Sequence, residues 1–344
     1  MKMTIQDKRI LVTGGAGFVG SHLCERLVEL GAKVVVIDNF STGKSENLNN
    51  IKDEIEVIVG DISEYGQVDK AVEGCDYVFN LAYPYGVDGL GLHQAYIDTG
   101  VQGTFNLLKA STIHKVKKLV NVSSVSAYGI VTEPNGDRLK KRISEDMSGR
   151  HFLHYGITKL SGENYCKIFP TSFGLDTLSL RYFYVYGPRY ATYDHSALIK
   201  FLTRCKEGKD LKLFGDGLQL RDYTYVSDVV EGTIQSLNCR GNGEVYNLSG
   251  GGESNIVDLA KLVIKTTNAD VDIKRITERD LVFDDEWVKI PFRGGVTKLT
   301  DEGWVDERNY VADISKANRD FGYKPKVSLE QGVKKMWEWL NEQS

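Results

Sequence analysis

A short apolar run, Ile10-Leu-Val12, leads into glycines at 14, 17 and 20, and nothing else narrows the possible folds of this chain so far. Such a run suits a central parallel strand, buried on both faces. Residues Ser21 to Leu30 then read as a helix, and Gly31-Ala-Lys-Val-Val-Val-Ile-Asp38 as a second strand ending in a carboxylate. Gly14 allows a tight turn, Gly17 lets backbone N–H groups approach a pyrophosphate, and Gly20 lets helix and strand pack closely. The helix N-terminus carries partial positive charge that favours phosphate. Asp38 lies about twenty residues beyond the glycines, where a carboxylate accepts hydrogen bonds from an adenosine ribose. A carboxylate there repels a 2′-phosphate, so the pattern predicts NAD over NADP. A glycine-rich turn alone also occurs in ordinary loops, but strand, glycines, helix, strand and acid in this order are far more specific.

The alternation continues. Val57-Ile-Val59 precedes Gly60-Asp61, and Tyr77 to Ala82 forms another strand pattern. Gly103 to Ser111 reads as helix, Lys118 to Ser123 as strand, His154 to Phe169 as helix and Leu175 to Arg181 as strand. The fold class expected is α/β: a Rossmann-type doubly wound parallel sheet covered by helices on both faces. Ligands bind beyond the carboxyl ends of such strands. Asp38, Asp61, Ala82, Ser123, Ser124 and Tyr182 all fall at or just past those ends. From Tyr184 onward shorter elements are punctuated by Gly-Pro and Gly-rich turns, which predicts a smaller α/β C-terminal lobe that binds substrate. The expected division is 1–183 plus about 222–248 for the nucleotide-binding domain, and about 184–221 plus 249–344 for the second lobe. Leu329, Val333, Met336, Trp337 and Leu340 share one face of a closing helix. Arg138 to Gly149 is polar and reads as an exposed loop, its basic run Arg138-Leu-Lys-Lys-Arg142 as a solvated face.

The formal charge of −4 gives no general attraction to nucleic acid or to an anionic membrane. No apolar run is long enough to span a bilayer and no signal peptide is visible. The five cysteines are scattered, with no CxxC and no zinc-ligand spacing, so neither a disulfide framework nor a metal site is expected. A cytoplasmic protein is the expectation.

Tyr155 and Lys159 stand four residues apart, on one face of a helix. A nearby ammonium favours the phenolate and lowers the tyrosine's ordinary pKa, near 10. Such a phenol can take a proton from a hydroxyl while hydride leaves the same carbon. Lys159 can also bond the nicotinamide ribose. About one such Tyr–Lys pair is expected by chance in a chain with 18 tyrosines. Its position gives it weight, two elements after Ser123-Ser124, where a strand-end serine can bond the same substrate oxygen.

Together these segments resemble an extended short-chain dehydrogenase/reductase of the nucleotide-sugar epimerase/dehydratase family, nearest in pattern to UDP-glucose 4-epimerase-like enzymes. The resemblance spans essentially the whole chain. It rests on Thr13-Gly-Gly-Ala-Gly-Phe-Val-Gly20, Asp38-Asn-Phe-Ser-Thr-Gly43, Ser123-Ser-Val-Ser-Ala-Tyr-Gly129, Tyr155 to Lys159, and Arg181 to Arg189. Gly215 to Val226, Tyr246 to Gly251 and Ala312 to Ala317 also match. It implies Ser124, Tyr155 and Lys159 as catalytic residues. Gly14, Gly17, Phe18, Val19 and Gly20 would cradle NAD, while Asp38, Asn39, Ser41, Thr42 and Gly43 would hold its adenosine ribose and nearby phosphate. Asp61 and Ile62 would flank adenine, and Leu81, Ala82, Lys159, Tyr182 and Phe183 would line the rest of the cofactor cleft. For the nucleotide-diphosphate sugar it implies Arg221 on the diphosphate, where a planar cation suits oxyanions. Phe214 would lie near the base, and Tyr83, Ser124, Ser126 and Tyr184 would border the sugar and phosphates. A homodimer through Gly103–Ser111 and His154–Phe169 is also implied.

Similar 4,6-dehydratases carry Asp-Glu after the catalytic Thr, decarboxylating relatives a Glu where Ser126 stands, and 3,5-epimerising ones a Cys there. Here Val125 and Ser126 offer no such acid or base. The resemblance therefore points to reversible oxidation at C4, a 4-epimerase. Alternatives are a dehydratase or 4-keto-sugar reductase of the same family, or a non-catalytic NAD-binding regulator. The chain departs from the family at Gly100, Tyr184 and Tyr83, and at Gly303-Trp-Val-Asp306, where an Arg-Pro-Gly-Asp motif is usual. Arg293 or Arg308 is then the expected second diphosphate ligand.

Overall fold

Seven strands, all parallel, form the central sheet, and their order explains where a ligand can sit. The computed structural model describes residues 5–84, 90–151, 153–190, 196–276, 297–300, 303–306 and 308–343. The strands are β1 (Arg9–Thr13), β2 (Lys33–Asp38), β3 (Ile55–Val59), β4 (Tyr77–Asn80), β5 (Lys118–Ser124), β6 (Thr177–Tyr182) and a last strand, Glu244–Leu248. Their spatial order is β3-β2-β1-β4-β5-β6 followed by Glu244–Leu248. The order reverses at β1, between β2 and β4, which opens a crevice beyond the carboxyl end of β1.

The strand period of two divides the core. Ile10 and Val12 of β1, with Val34 and Val36 of β2, pack on one face; Leu11, Val35 and Ile37 pack on the other. Helix α1 (Phe18–Glu29) covers the first face, alongside α7 (Val226–Gln235), to which it is tied by Arg26 and Glu231 at 2.6 Å. Helices α2 (Tyr65–Val72), α4 (Thr104–Ile113) and α5 (His154–Phe173) cover the second. α5 runs four residues past the expected Phe169 and ends at Gly174, whose φ is 73°. Between β4 and α4 come α3 (Leu90–Ile97) and a π-helical turn, Asp98–Gly103.

A polar ladder crosses the sheet near its carboxyl edge. Thr13, Asn80, Asn121 and Ser179 are neighbours in register on four adjacent strands. The Thr13 hydroxyl donates to Asn80 Oδ1 at 2.9 Å, and Asn80 Nδ2 donates to Asn121 Oδ1 at 3.0 Å. Buried polar atoms must be paired in this way.

After β6, α6 (Ala197–Lys206) packs against α8 (Ile256–Thr267), and two further helices follow, α9 (Ser315–Phe321) and α10 (Leu329–Glu342). A Ser328–Gln331 capping box starts α10, and Val333, Met336 and Leu340 are buried along one face as expected. The segment 138–149 departs from its expected character. Leu139 and Ile143 are buried, and with Met147 they pack against Tyr310 and Ala312. Ile143 N–H donates to Val311 O, and Asp313 N–H donates to Ile143 O. Arg138 makes a two-bond ion pair with Asp216, and Arg142 donates to Ala312 O. Lys140, Lys141 and Arg142 are exposed, as expected of a solvated face, but the apolar residues of the segment are buried and make it a strap. Apolar residues four apart in a non-helical segment carry no amphipathic period, so the sequence pattern conceals the strap.

Candidate active site

The turn after β1 is built for close approach. Gly14 has φ of 66°, and a Cβ on it would lie 2.8 Å from Ala82 Cα. The Thr13 hydroxyl accepts from Leu81 N–H and Ala82 N–H, which pins the turn to the end of β4. At Gly20 a Cβ would lie 2.1 Å from Gly14 O, so α1 begins hard against the turn. Gly17 caps α1 with no side-chain bond, no acid occupies the first turn, and Phe18 and Val19 sit there half-buried. The first N–H groups of α1 are therefore open to an anion.

Asp38 is buried at the end of β2, where its carboxylate accepts from Ala16 N–H and Phe40 N–H, each at 2.9 Å. Burial raises its pKa above the usual carboxylate range, and those two bonds oppose the rise. Each oxygen uses one acceptor site and keeps a second for a ribose hydroxyl. Gly43 fits against Ala16 and Asp38, while Ser41 and Thr42 lie exposed at the rim. Asn39 Nδ2 donates to Asp61 Oδ2 at 2.7 Å, and Ser63 donates twice to Asp61 Oδ1. Burial pushes the Asp61 carboxyl up, but these donors outweigh it and hold its pKa low. The Gly14–Gly20 turn, uncapped helix and half-satisfied Asp38 thus fit a dinucleotide. Three expected lining residues turn their side chains elsewhere. Ile62 is buried against Gly103, Tyr182 bonds Thr233, and Phe183 is fully buried near Tyr128 and Tyr310. Core packing takes up the side chains of these three and leaves their backbone for lining a cleft.

Ser124 closes β5 and caps the short turn Val125–Tyr128, its Oγ accepting from Ser126 N–H at 3.1 Å. The first turn of α5 docks on that element. A Cβ on Gly156 would fall 2.3 Å from Ser126 O, so only glycine lets the first turn of α5, which bears Tyr155, approach the Ser124-capped turn this closely. Tyr155 is half-buried and Lys159 buried, with Lys159 Nζ 5.8 Å from the Tyr155 ring centroid. Lys159 Nζ donates to Val122 O at 2.9 Å. Burial pulls the Lys159 pKa down to about 7, and Glu163 acts against this.

Behind this group lies a fully enclosed ion pair that the motif reading missed. Arg181 on β6 donates to both oxygens of Glu163, at 2.8 and 2.7 Å, and the Ser123 hydroxyl donates to Glu163 Oε1. The Arg181 guanidinium also lies 4.1 Å from the Tyr128 ring centroid. Burial works against its charge, but Glu163 more than compensates and raises its pKa. A sequence signal existed: Glu163 continues the i, i+4 series from Tyr155 and Lys159. Nothing local announced that Arg181 would face it.

Arg221 is buried and donates to Leu220 O and Arg308 O. Its neighbour Asp222 turns away, accepting from the Ser249 hydroxyl and Ala312 N–H. Burial pushes the Asp222 carboxyl up to about 6. Arg221 lies 5.4 Å from the Tyr184 ring centroid, and Tyr184 has φ of 37°. Arg308 and Tyr310 line a small cavity with Ser126, Gly129 and Leu153. Tyr83, expected to border the sugar, bonds Thr158 and lies over Lys159. The Phe214 side chain and all of Arg293 fall outside the described residues. Among the described residues no cluster of His, Cys, Asp and Glu could hold a metal, and no helix is long and apolar enough to cross a membrane.

Known proteins resemble this chain along its length. The NAD dependent epimerase/dehydratase family matches residues 10–249. A UDP-N-acetyl-alpha-D-glucosaminuronate decarboxylase of Bacillus cytotoxicus is 33% identical, over 97% of this chain and 98% of its own. The UDP-glucose 4-epimerase of Thermotoga maritima, solved with UDP-glucose, superposes with a TM-score of 0.80 at 31% identity, covering 97% of this chain and 99% of its own. UDP-glucuronic acid 4-epimerase of Bacillus cereus, solved with UDP-glucuronic acid and NAD, gives 0.79 at 30%, covering 98% and 100%. The family match over residues 10–249 and these full-length likenesses show that the chain belongs to the NAD-dependent epimerase/dehydratase family.

Proposed function

We propose that this protein is a nucleotide-sugar 4-epimerase. The observation that carries this reading is the docking of α5, which bears Tyr155 and Lys159, on the turn that Ser124 caps, with Val125 and Ser126 offering no acid or base for water loss. NAD, held by the Gly14–Gly20 turn and Asp38, would supply the hydride acceptor and donor for C4. The Tyr155 phenol takes the C4 hydroxyl proton and later returns it, and the Ser124 hydroxyl bonds the same oxygen and steadies its developing charge. Lys159 keeps the phenol acidic through its own positive charge. Arg221 takes the sugar diphosphate, and the resulting 4-keto sugar turns in the pocket before reduction on its other face.

The relatives named above are named for UDP-sugars, so UDP-glucose, UDP-N-acetylglucosaminuronate and UDP-glucuronate head a substrate panel. Purified protein with no added cofactor is expected to invert C4 of one of them, read by proton NMR. Failure on every sugar, with a keto sugar reduced by added NADH, would overturn the reading. The decarboxylase relative favours a second reading, in which a 4-keto uronate loses its carboxylate. Release of carbon dioxide in the same tubes would select it.

We also propose a homodimer through α4 and α5. Phe105 on α4 and Ile157 and Ile168 on α5 are exposed apolar residues, and Phe105 packs beside Tyr165 at 5.6 Å between ring centroids. Ile168→Arg is expected to convert a dimer to a monomer in analytical ultracentrifugation; a wild-type monomer would refute the assembly.

A further inference from the structure

The chain after β4 places a large aromatic side chain where the reaction above requires none. The Tyr83 ring lies with its centroid 4.2 Å from Lys159 Nζ. It meets the Tyr155 ring edge to face, at 4.9 Å between centroids and 83° between planes. On another side it stacks on Tyr96 of α3 at 5.2 Å and 28°, and its hydroxyl pairs with Thr158. Gly100 makes the room: a Cβ there would fall 2.9 Å from Tyr83 Cε2 and 3.1 Å from Thr158 Cβ. The ring is therefore fixed by three helical segments and touches both members of the Tyr155–Lys159 pair.

Lys159 has a reason to need it. Its hydrogen bond to Val122 O goes to a neutral acceptor, and burial works against its charge. Glu163, one turn along α5, supports that charge but spends both oxygens on Arg181 of β6 and one of them also on Ser123 of β5. On the α3 side stand Tyr96 and His93, the latter 4.1 Å from the His154 ring. An aromatic face attracts a cation through its quadrupole, most strongly where water is excluded.

We propose that Tyr83 is a positioning residue for this reaction, whose ring face keeps the Lys159 ammonium in place and whose edge sets the Tyr155 ring beside it. This rests on the reading of Tyr155 and Lys159 as the reacting pair, but its first test needs no activity. In protein carrying lysine labelled with carbon-13 at Cε, the Lys159 resonance is identified by its loss in Lys159→Met. Tyr83→Leu removes the ring face and is expected to lower the Lys159 titration midpoint by about half a pH unit or more. Tyr83→Phe keeps the face, loses only the Thr158 bond, and should titrate with the wild type. His93 and His154 are replaced by Gln in a parallel background, so that their titration does not contribute.

With a turned-over sugar in hand, Tyr83→Leu is expected to lower kcat about tenfold with KM within twofold, and Tyr83→Phe to restore most of kcat. Should Tyr83→Leu not fold, Gly100→Ala displaces the ring by its Cβ and should move the Lys159 midpoint in the same direction. An unchanged midpoint in the folded variant, or a Tyr83→Phe as impaired as Tyr83→Leu, would overturn the proposal. Loss of the epimerase reading alone would leave the titration result standing.

Discussion

Tyr155→Phe is expected to lower turnover by about a thousandfold while leaving the fold and bound NAD intact, the size of effect typical of a lost proton-transfer group. The substitution removes one oxygen. The ring remains, so its contact with Tyr83 at 4.9 Å and the docking of Gly156 on Ser126 O are preserved. Circular dichroism and the NAD content of purified protein should match the wild type, and KM should change little. A variant within tenfold of the wild type would remove Tyr155 from the reaction. If the cellular role survived complete loss of turnover, the protein would instead be a non-catalytic NAD-binding regulator.

Glu163→Ala carries the largest expected effect on stability. Both members of its pair with Arg181 are buried, so truncating one leaves a guanidinium enclosed without its carboxylate. Breaking such a pair costs about 3–5 kcal/mol. In a chain of this size that corresponds to a fall in Tm of roughly 4–7 °C, measured by calorimetry. The paired replacement Glu163→Leu with Arg181→Met is expected to recover most of it, since no charge is then left buried. A single variant that melts within about a degree of the wild type would show that Arg181 finds another partner. Activity should fall in Glu163→Ala beyond what unfolding explains, because Ser123 and Lys159 both lose the group that steadies them.

Much of the site lies in segments whose local pattern states their purpose. Strand, glycine turn, helix and Asp38 were legible because each forms within about thirty residues, and their chemistry follows from backbone geometry. Tyr155 and Lys159 were legible because a helix brings residues four apart to one face. The same rule reaches Glu163 but says nothing of its partner. Side-chain direction at strand ends was less legible: Ile62, Tyr182 and Phe183 read as lining residues, yet packing commits their side chains to the core.

What the sequence by itself determined is the parallel sheet, the crevice at β1, the preference for NAD and the phenol–ammonium pair, all products of short-range periodicity and turn chemistry. Only the tertiary structure decided that Gly156 lets α5 settle on Ser126 O, that Arg181 closes on Glu163, and that Tyr83 lies across Lys159. It also decided that residues 138–149 reach across to Asp216, Tyr310 and Ala312. These contacts join segments 18 to 170 residues apart, and no local repeat records them. They arise when a close-packed interior brings distant side chains together and requires each buried polar group to find a partner.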